Sequence, residues 1–214
     1  MKEKQNKFTK TEKEDEYLIH YKDDATAGNG VKHDKFEGKG VLNNTISCII
    51  FDMLEEAGIK THMIKKLNER DILVKKVDIF PLEVIIRNIT TGSFCKRLGA
   101  PEGVVLDEPI FEMSYKNDEY GDPLINDDHA VALKLATREE LAYIKETTLK
   151  INELLKEFFL SMNLKLVDFK IEFGKTADGT ILLADEISPD SCRLWDVDTN
   201  QNMIKMYLDK ILEI

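Results

Sequence analysis

Residues 164–187 carry a pattern that suits a β-hairpin much better than a helix. Apolar side chains occupy every second position of the first half, namely Val167, Phe169, Ile171 and Phe173. Because strand side chains alternate between two faces, this strand has one apolar and one ionic face. The dipeptide Asp178-Gly179 follows, and Asp-Gly suits a tight two-residue turn. The sequence therefore predicts strands over residues 164–173 and 180–187.

The ionic face of this hairpin carries Asp168, Lys170 and Glu172. Counting outward from a two-residue turn places Glu172 opposite Asp185, and like charges facing each other across a sheet are destabilising. The pair therefore suggests a cation such as Mg²⁺, which binds carboxylate and phosphate oxygens. The alternative is a solvated face on an edge hairpin. The apolar run 181–184 on the returning strand favours the metal site.

The rest of the chain mixes strands and helices without regular βαβ alternation. Apolar spacing predicts helices over residues 41–57 and 137–162, and Thr137 and Glu140 form a capping box for the second helix. Further strands are predicted over residues 17–21, 61–67, 71–77 and 82–89, with a polar loop over 22–40 and a short helix at the C-terminal end. The pattern predicts an α+β fold with mainly antiparallel sheets.

Composition excludes several classes of partner. The formal charge is −10, from 40 acidic and 30 basic residues, and no basic stripe suggests nucleic-acid binding. Residues 1–16 are too charged for a secretory signal, and no apolar run is long enough to span a membrane, so a cytoplasmic location is expected. The three cysteines are far apart, which indicates reduced thiols, and the four histidines lack zinc-site spacing. Any metal is therefore expected on oxygen ligands.

Arg87 ends the apolar run 82–89, and a buried arginine needs an anionic partner. Glu83, four residues earlier on the same face, is the ordinary candidate. The other candidate is a bound anion, because residues 91–93 open a short helical stretch whose N–H and hydroxyl groups suit one.

Arg193 lies in a loop that contains Pro189 and Trp195, the only tryptophan. A guanidinium can donate two parallel hydrogen bonds to phosphate or carboxylate, which is typical of a binding loop. A surface ion pair with Asp190 or Asp196 is the ordinary alternative.

Several blocks together resemble the SAICAR synthetase family. They are, in order, Arg87-Asn88-x-x-x-Gly92-Ser93, Tyr115-Lys116-Asn117-Asp118 with Asp122-Pro123, the block 168–174 (Asp-Phe-Lys-Ile-Glu-Phe-Gly), and the block 185–196 (Asp-Glu-Ile-Ser-Pro-Asp-x-x-Arg-Leu-Trp-Asp). With Thr26-Ala27-Gly28 and residues 36–40 (Phe-Glu-Gly-Lys-Gly), the similarity covers about residues 17–196.

This resemblance implies a two-lobed, ATP-grasp-like fold, with residues 1–80 as a nucleotide-covering lobe and 81–214 as the lobe with metal and substrate sites. It implies a ligase that joins carboxyaminoimidazole ribonucleotide (CAIR) to L-aspartate, using ATP and Mg²⁺ through an acyl phosphate, in a homodimer. A small-molecule kinase shares ATP, Mg²⁺, lysine and paired carboxylates, so it is one alternative. A non-catalytic nucleotide-binding module is the other, because the family's Gly-Lys-Ala-Lys turn and a loop after Met203 are absent from the sequence.

The resemblance also implies roles for individual residues. The expected catalytic residues are Lys170, Asp190 and Arg193. The expected substrate-binding residues are Arg87, Ser93, Asp122 and Arg193. ATP is expected at Val77, Ile79, Lys116 and Lys170, and Mg²⁺ at Glu172 and Asp185.

Overall fold

A computed structural model of the chain describes residues 6–27 and 32–202. The strands are β1 Asn6–Lys10, β2 Glu16–Tyr21, β3 Asp24–Ala27, β4 Lys32–Lys35, β5 Met63–Lys66, β6 Asp71–Lys75, β7 Asp78–Ile79, β8 Leu82–Ile89, β9 Val105–Tyr115, β10 Leu124–Ile125, β11 Leu164–Lys175, β12 Ile181–Ala184 and β13 Cys192–Asp196. The α-helices are α1 Lys39–Glu56, α2 Gly92–Leu98, α3 Asp127–Ala132 and α4 Arg138–Leu160. The predicted C-terminal helix, and the position after Met203 where the family's loop is missing from the sequence, lie outside the described residues.

The chain forms two compact units. Unit 1 comprises Met1–Pro81, Lys116–Pro123 and Glu172–Ser188, and unit 2 comprises Leu82–Tyr115, Leu124–Ile171 and Pro189–Ile214. A single division after residue 80 therefore does not describe the contacts, because two later segments return to unit 1. The nucleotide-covering role expected of residues 1–80 stays a prediction.

Unit 1 is built on the antiparallel sheet β1-β2-β6-β5 and the long helix α1. The predicted helix begins two residues early, at Lys39, and the predicted loop over 22–40 contains strands β3 and β4. The core consists of fully buried apolar side chains, among them Ile19, Tyr21, Ile46, Ile50, Phe51, Leu54 and Ile72. The last residues of β11 pair with β12 and β7 in the same unit.

The start of α1 is fastened by an ion pair. Arg70 donates from Nη1 and Nη2 to the carboxylate of Asp23 at 2.8 and 3.0 Å, and the N–H of Gly40 donates to the same carboxylate at 2.9 Å. A Cβ at position 40 would collide with the Tyr21 carbonyl oxygen and with Arg70, so glycine is required there. These bonds lower the pKa of Asp23 from 3.8 to about 2, with the Arg70 bonds as the largest cause.

The lowered pKa of Asp23 predicts that the free energy of unfolding of unit 1 decreases measurably at acidic pH. Because its folded pKa is lowered from 3.8 to about 2, its stabilisation is fully present above the unfolded value and is lost as the pH falls between the two. Over this pH range, we expect Asp23→Asn to reduce the slope of the free energy of unfolding against pH. The reduction is at most about 1.4 kcal/mol per pH unit, the value for one proton. Denaturant unfolding at several pH values measures it. Asp15→Asn, at an exposed residue, is the control. The same pH dependence in Asp23→Asn and wild type would contradict the lowered pKa of Asp23.

Unit 2 is an antiparallel sheet in which β8 lies between β9 and β11, while β10 pairs with β9 and β13 pairs with β11. Strand β8 has the predicted bounds. Helix α4 has the predicted capping box and packs on β8, where Asn88 and Asn152 exchange hydrogen bonds of 2.8 and 3.0 Å. The predicted α+β class with antiparallel pairing is confirmed.

The register of the β11–β12 hairpin differs from the prediction by one residue. Glu172 pairs with Ala184 rather than with Asp185. The turn is longer than two residues because Thr176 and Thr180 are bonded through the backbone at 2.9 Å and enclose residues 177–179. Gly179 adopts φ +88°, the left-handed conformation found in hairpins with three-residue loops.

Two further expectations concern cysteines and membranes. The three cysteines are free thiols, as predicted, and burial raises the pKa of Cys48 to about 11. Among the described residues, no helix is both long enough and apolar enough to cross a bilayer.

Candidate active site

Asp168 on β11 stands directly opposite two arginines, Arg87 on β8 and Arg193 on β13. Its Oδ2 accepts from Arg87 Nη1 at 3.1 Å, and its two oxygens accept from Arg193 Nε and Nη2 at 2.7 and 2.5 Å. The side chains of Asp168 and Arg87 are 7% and 4% exposed. The ionic face of β11 is therefore buried here, which rules out a solvated edge hairpin.

Arg87 also forms hydrogen bonds with Glu112 and Ser93. Its Nε donates to Glu112 at 2.7 Å and its Nη2 donates to Ser93 Oγ at 3.1 Å. Glu112 also accepts from Arg97 at 2.7 Å. The expected ordinary partner, Glu83, instead accepts from Lys170 at 2.6 Å. Two carboxylates thus hold Arg87, and a bound anion is not needed to explain its burial.

The ion-pair partner of Arg193 also differs from the two ordinary candidates, Asp190 and Asp196. Arg193 forms its ion pair with Asp168. Nε and Nη2 are used in this pair, while Nη1 faces Gly92, where any Cβ would collide with it. The side chain is 36% exposed and lines a cavity of about 540 Å³.

This cavity lies entirely in unit 2. Its lining residues are Thr91, Gly92, Cys95, Lys96, Glu102, Arg193, Trp195, Asn200 and Asn202. They supply two cations, one carboxylate, two amide groups, one hydroxyl and one indole. Such a set suits a phosphorylated ligand with a flat polar ring. Asp190, expected to be catalytic, is exposed in the loop before β13.

A second group of predicted residues lies in unit 1. The Nζ of Lys116 is 2.5 Å from both carboxylate oxygens of Glu172, whose side chain is 3% exposed. Asp185 follows β12 directly and adopts φ +60°, a conformation that costs energy in a residue other than glycine. Strained backbone of this kind is concentrated at functional sites.

The segment that carries Asp185 is fixed by two buried residues that the sequence did not single out. The His62 N–H donates to the Leu183 carbonyl at 2.8 Å, and the His62 ring hydrogen-bonds the backbone of Asp185. Burial lowers the pKa of His62 to about 4, so the ring stays neutral. Ser47 on α1 donates to the Ile187 carbonyl at 3.1 Å.

The expected adenine segment packs against the end of β11. Ile79 pairs with Gly174, and a Cβ at Gly174 would lie 2.7 Å from the Val77 Cβ. The missing side chain at Gly174 therefore lets Val77 and Ile79 approach the strand closely.

Asp122 shapes the loop that follows Lys116. It adopts φ +48°, accepts from the Asn117 N–H at 2.8 Å, and donates its own N–H to the Asn117 carbonyl at 3.1 Å. Asp122 thus closes the loop that begins with Lys116. Its predicted contact with substrate remains a proposal.

Sequence and structure comparisons identify the family. A sequence model described as SAICAR synthetase matches residues 2–212. The chain belongs to the SAICAR synthetase family. The phosphoribosylaminoimidazole-succinocarboxamide synthase of Finegoldia magna is 66% identical over 195 residues, which cover 91% of this chain and 84% of that protein.

Solved structures of the SAICAR synthetase family have the same fold. One, a SAICAR synthetase in complex with ADP, has a TM-score of 0.92 and 47% identity, over 98% of this chain and 90% of that one. The enzyme from Pyrococcus horikoshii OT3 also has a TM-score of 0.92, with 43% identity over 98% of both chains. The resemblance read from the motifs is confirmed. The chain is an ATP-dependent ligase of purine biosynthesis, and neither the kinase nor the non-catalytic alternative is favoured.

Proposed function

We propose that this chain condenses CAIR with L-aspartate, using ATP and Mg²⁺, to give SAICAR, ADP and phosphate. The observation that carries the proposal is the pair of arginines on Asp168, one of which lines the cavity of unit 2. CAIR carries a phosphate and a carboxylate, and arginine is suited to both. The names of the relatives support the same product.

The ribonucleotide would be held by Arg87, Ser93 and Arg193. Nη1 of Arg193 lies against Gly92, another residue that lines the cavity, so it would donate to an anion while Asp168 fixes the other nitrogens. Arg87, which donates to Asp168 and Ser93, would bind the ribonucleotide through its remaining Nη1 and Nη2 hydrogens. Asp122 completes the proposed substrate set.

ATP would contact the backbone of Val77 and Ile79 with its adenine and Lys116 and Lys170 with its phosphates. Both lysines are partly exposed and held by carboxylates, Glu172 and Glu83, so their ammonium groups are already oriented. Phosphoryl transfer depends on such positioning and charge neutralisation rather than on a protein nucleophile.

The hairpin end suits Mg²⁺ by the chemistry of its donors. Glu172 and Asp185 offer carboxylate oxygens, and Glu172 already faces a cation, the Lys116 ammonium. Within residues 6–27 and 32–202, no three His, Cys, Asp or Glu side chains form a metal-binding group, so other ligands would be phosphate oxygens and water. When bound, Mg²⁺ would neutralise charge on the phosphate oxygens.

The proposed reaction has two steps. A carboxylate oxygen of CAIR attacks the γ-phosphorus of ATP and ADP leaves, which gives an acyl phosphate. The amine of aspartate then attacks the acyl carbon, phosphate leaves, and the amine loses a proton. Lys170 and Arg193 would stabilise oxygen charge in these steps. The carboxylate of Asp190 is the third proposed catalytic group.

Aspartate dependence tests the proposal. We expect ADP release to require CAIR and aspartate together, with the succinocarboxamide product formed one for one with ADP. ADP release that needs CAIR but ignores aspartate would indicate a kinase. Absence of both products with measurable ADP binding would indicate a binding module.

We include a homodimer and a cytoplasmic location in the proposal. The charged composition supports the location. Light scattering after size-exclusion chromatography tests the dimer, and a monomer mass would contradict it.

Arg193→Lys is expected to weaken CAIR binding. A lysine keeps the charge but cannot bind Asp168 through two nitrogens while a third faces the cavity. We expect a loss of about 1–3 kcal/mol, the range for leaving one partner of a hydrogen bond unsatisfied. The KM for CAIR at saturating ATP reports it. Arg138→Lys, in the exposed pair with Asp128, is the matched control. An unchanged KM for CAIR in Arg193→Lys would contradict the proposed role of Arg193 in substrate binding.

A further inference from the structure

We propose that Glu112 is a positioning residue for the ribonucleotide and that it acts through Arg87 and Ser93. This inference rests on the proposed function, because it assumes that these two residues bind the ribonucleotide. Neither the motifs nor the family resemblance pointed to Glu112. It lies on β9, opposite Ile85 and therefore diagonal to Arg87.

Glu112 closes a ring of four hydrogen bonds. Arg87 Nε donates to Glu112 Oε2 at 2.7 Å, and Arg97 Nη2 donates to Glu112 Oε1 at 2.7 Å. Arg97 Nε donates to the Ser93 carbonyl at 3.1 Å, and Arg87 Nη2 donates to Ser93 Oγ at 3.1 Å. The ring therefore fixes both Ser93, on α2, and Arg87, on β8.

The ring determines which hydrogens of Arg87 remain for a ligand. The side chain is 4% exposed, so it cannot turn toward solvent if a partner is lost. Asp168 fixes the Nη1 side, and Glu112 fixes the Nε side. With both carboxylates in place, the guanidinium plane has one orientation, and Ser93 lies beside it.

Electrostatics and positioning predict opposite effects when Glu112 is neutralised. Arg87, Arg97 and Arg193 carry three positive charges, and Asp168 and Glu112 carry two negative charges. Removing one negative charge would by itself strengthen the binding of an anion. Losing the ring would misplace Arg87 and Ser93 and weaken it. The sign of the change in affinity therefore separates the two roles.

The experiment compares Glu112→Gln with wild type by steady-state kinetics, varying CAIR and ATP in turn. We expect the KM for CAIR to rise about tenfold, a change typical of one lost charged hydrogen bond, and the KM for ATP to change less than about twofold. Glu108→Gln, an exposed residue on the same strand, is the matched control and should match wild type for both substrates.

A double-mutant cycle tests whether Glu112 acts through the ring. Arg97→Gln opens the ring at an exposed residue, so it should also raise the KM for CAIR. The double variant Glu112→Gln/Arg97→Gln should be no worse than Glu112→Gln, because coupled groups are not additive. If Glu112→Gln does not fold, Arg97→Gln alone decides. Additive effects, or an unchanged or lower KM for CAIR, would overturn the inference.

Arg87→Lys separates this inference from the proposed function. If Arg87→Lys raises the KM for CAIR and Glu112→Gln does not, the positioning role fails and the substrate site stands. If Arg87→Lys leaves the KM for CAIR unchanged, the assignment of Arg87 to the ribonucleotide itself fails.

Discussion

Glu172→Gln and Asp185→Asn are each expected to reduce Mg²⁺-dependent turnover by roughly 10²–10³-fold or more, the range for losing a group that stabilises developing charge. An amide is a neutral and weaker ligand for a hard cation than a carboxylate. The structure adds that Glu172 also fixes Lys116, at 2.5 Å from both oxygens, so its variant should misplace a proposed phosphate-binding cation as well. Turnover measured over a range of Mg²⁺ concentrations reports both effects.

The fold should survive these two substitutions. Glu172 faces a lysine rather than Asp185, so its replacement removes an ion pair instead of a repulsion, and we expect a cost of about 1–3 kcal/mol. Thermal unfolding gives that value. Glu153→Gln, in the exposed pair with Lys156, is the control for loss of a surface carboxylate. Wild-type turnover in both Glu172→Gln and Asp185→Asn would contradict the proposed Mg²⁺ site on this hairpin.

Asp168→Asn is expected to be the most destabilising of the substitutions considered. Asp168 accepts from both Arg87 and Arg193, and Arg87 is 4% exposed, so the variant leaves a buried cation with one carboxylate instead of two. Breaking buried ion pairs costs about 3–5 kcal/mol. Denaturant unfolding measures the loss, and CAIR binding should fall in parallel.

The matched control for Asp168→Asn is Asp128→Asn. Asp128 also pairs with an arginine, Arg138, but the two side chains are 74% and 63% exposed, so the expected cost is below about 1 kcal/mol. Similar costs for the two variants would show that the charges on β11 are solvated after all.

Local patterns in the sequence predicted the elements that have strong periodicity. Strand β8 and helix α4 follow from apolar spacing and the capping box at Thr137. Strand β9 was missed because Asp107, Glu108 and Pro109 interrupt its apolar residues, and Pro is unfavourable within a strand. Helix α3 was missed because six residues give little periodicity.

The candidate site was predicted in its residue types but not in its pairings. Asp168, Arg87 and Arg193 all belong to motifs of the SAICAR synthetase family, yet only the registers of β8 and β13 on β11 place them together. Glu112 depends on the register of β9, a strand that was not predicted. The opposition of Glu172 and Asp185 failed because one left-handed glycine, Gly179, lengthened the turn by a residue.

The discontinuity of unit 1 has a consequence for the order in which the protein is made. Helix α1 and the first sheet leave the ribosome early, but the segment Glu172–Ser188, in which the Ile187 carbonyl accepts a hydrogen bond from Ser47 of α1, belongs to the same unit. About 90 residues separate Pro81 from Glu172, which is roughly 5–20 s of synthesis at 5–20 residues per second. During that time the buried surface of α1 lacks its final cover. Nascent chains halted before residue 172 should therefore expose the apolar surface of α1 to chaperones, and completed chains should not.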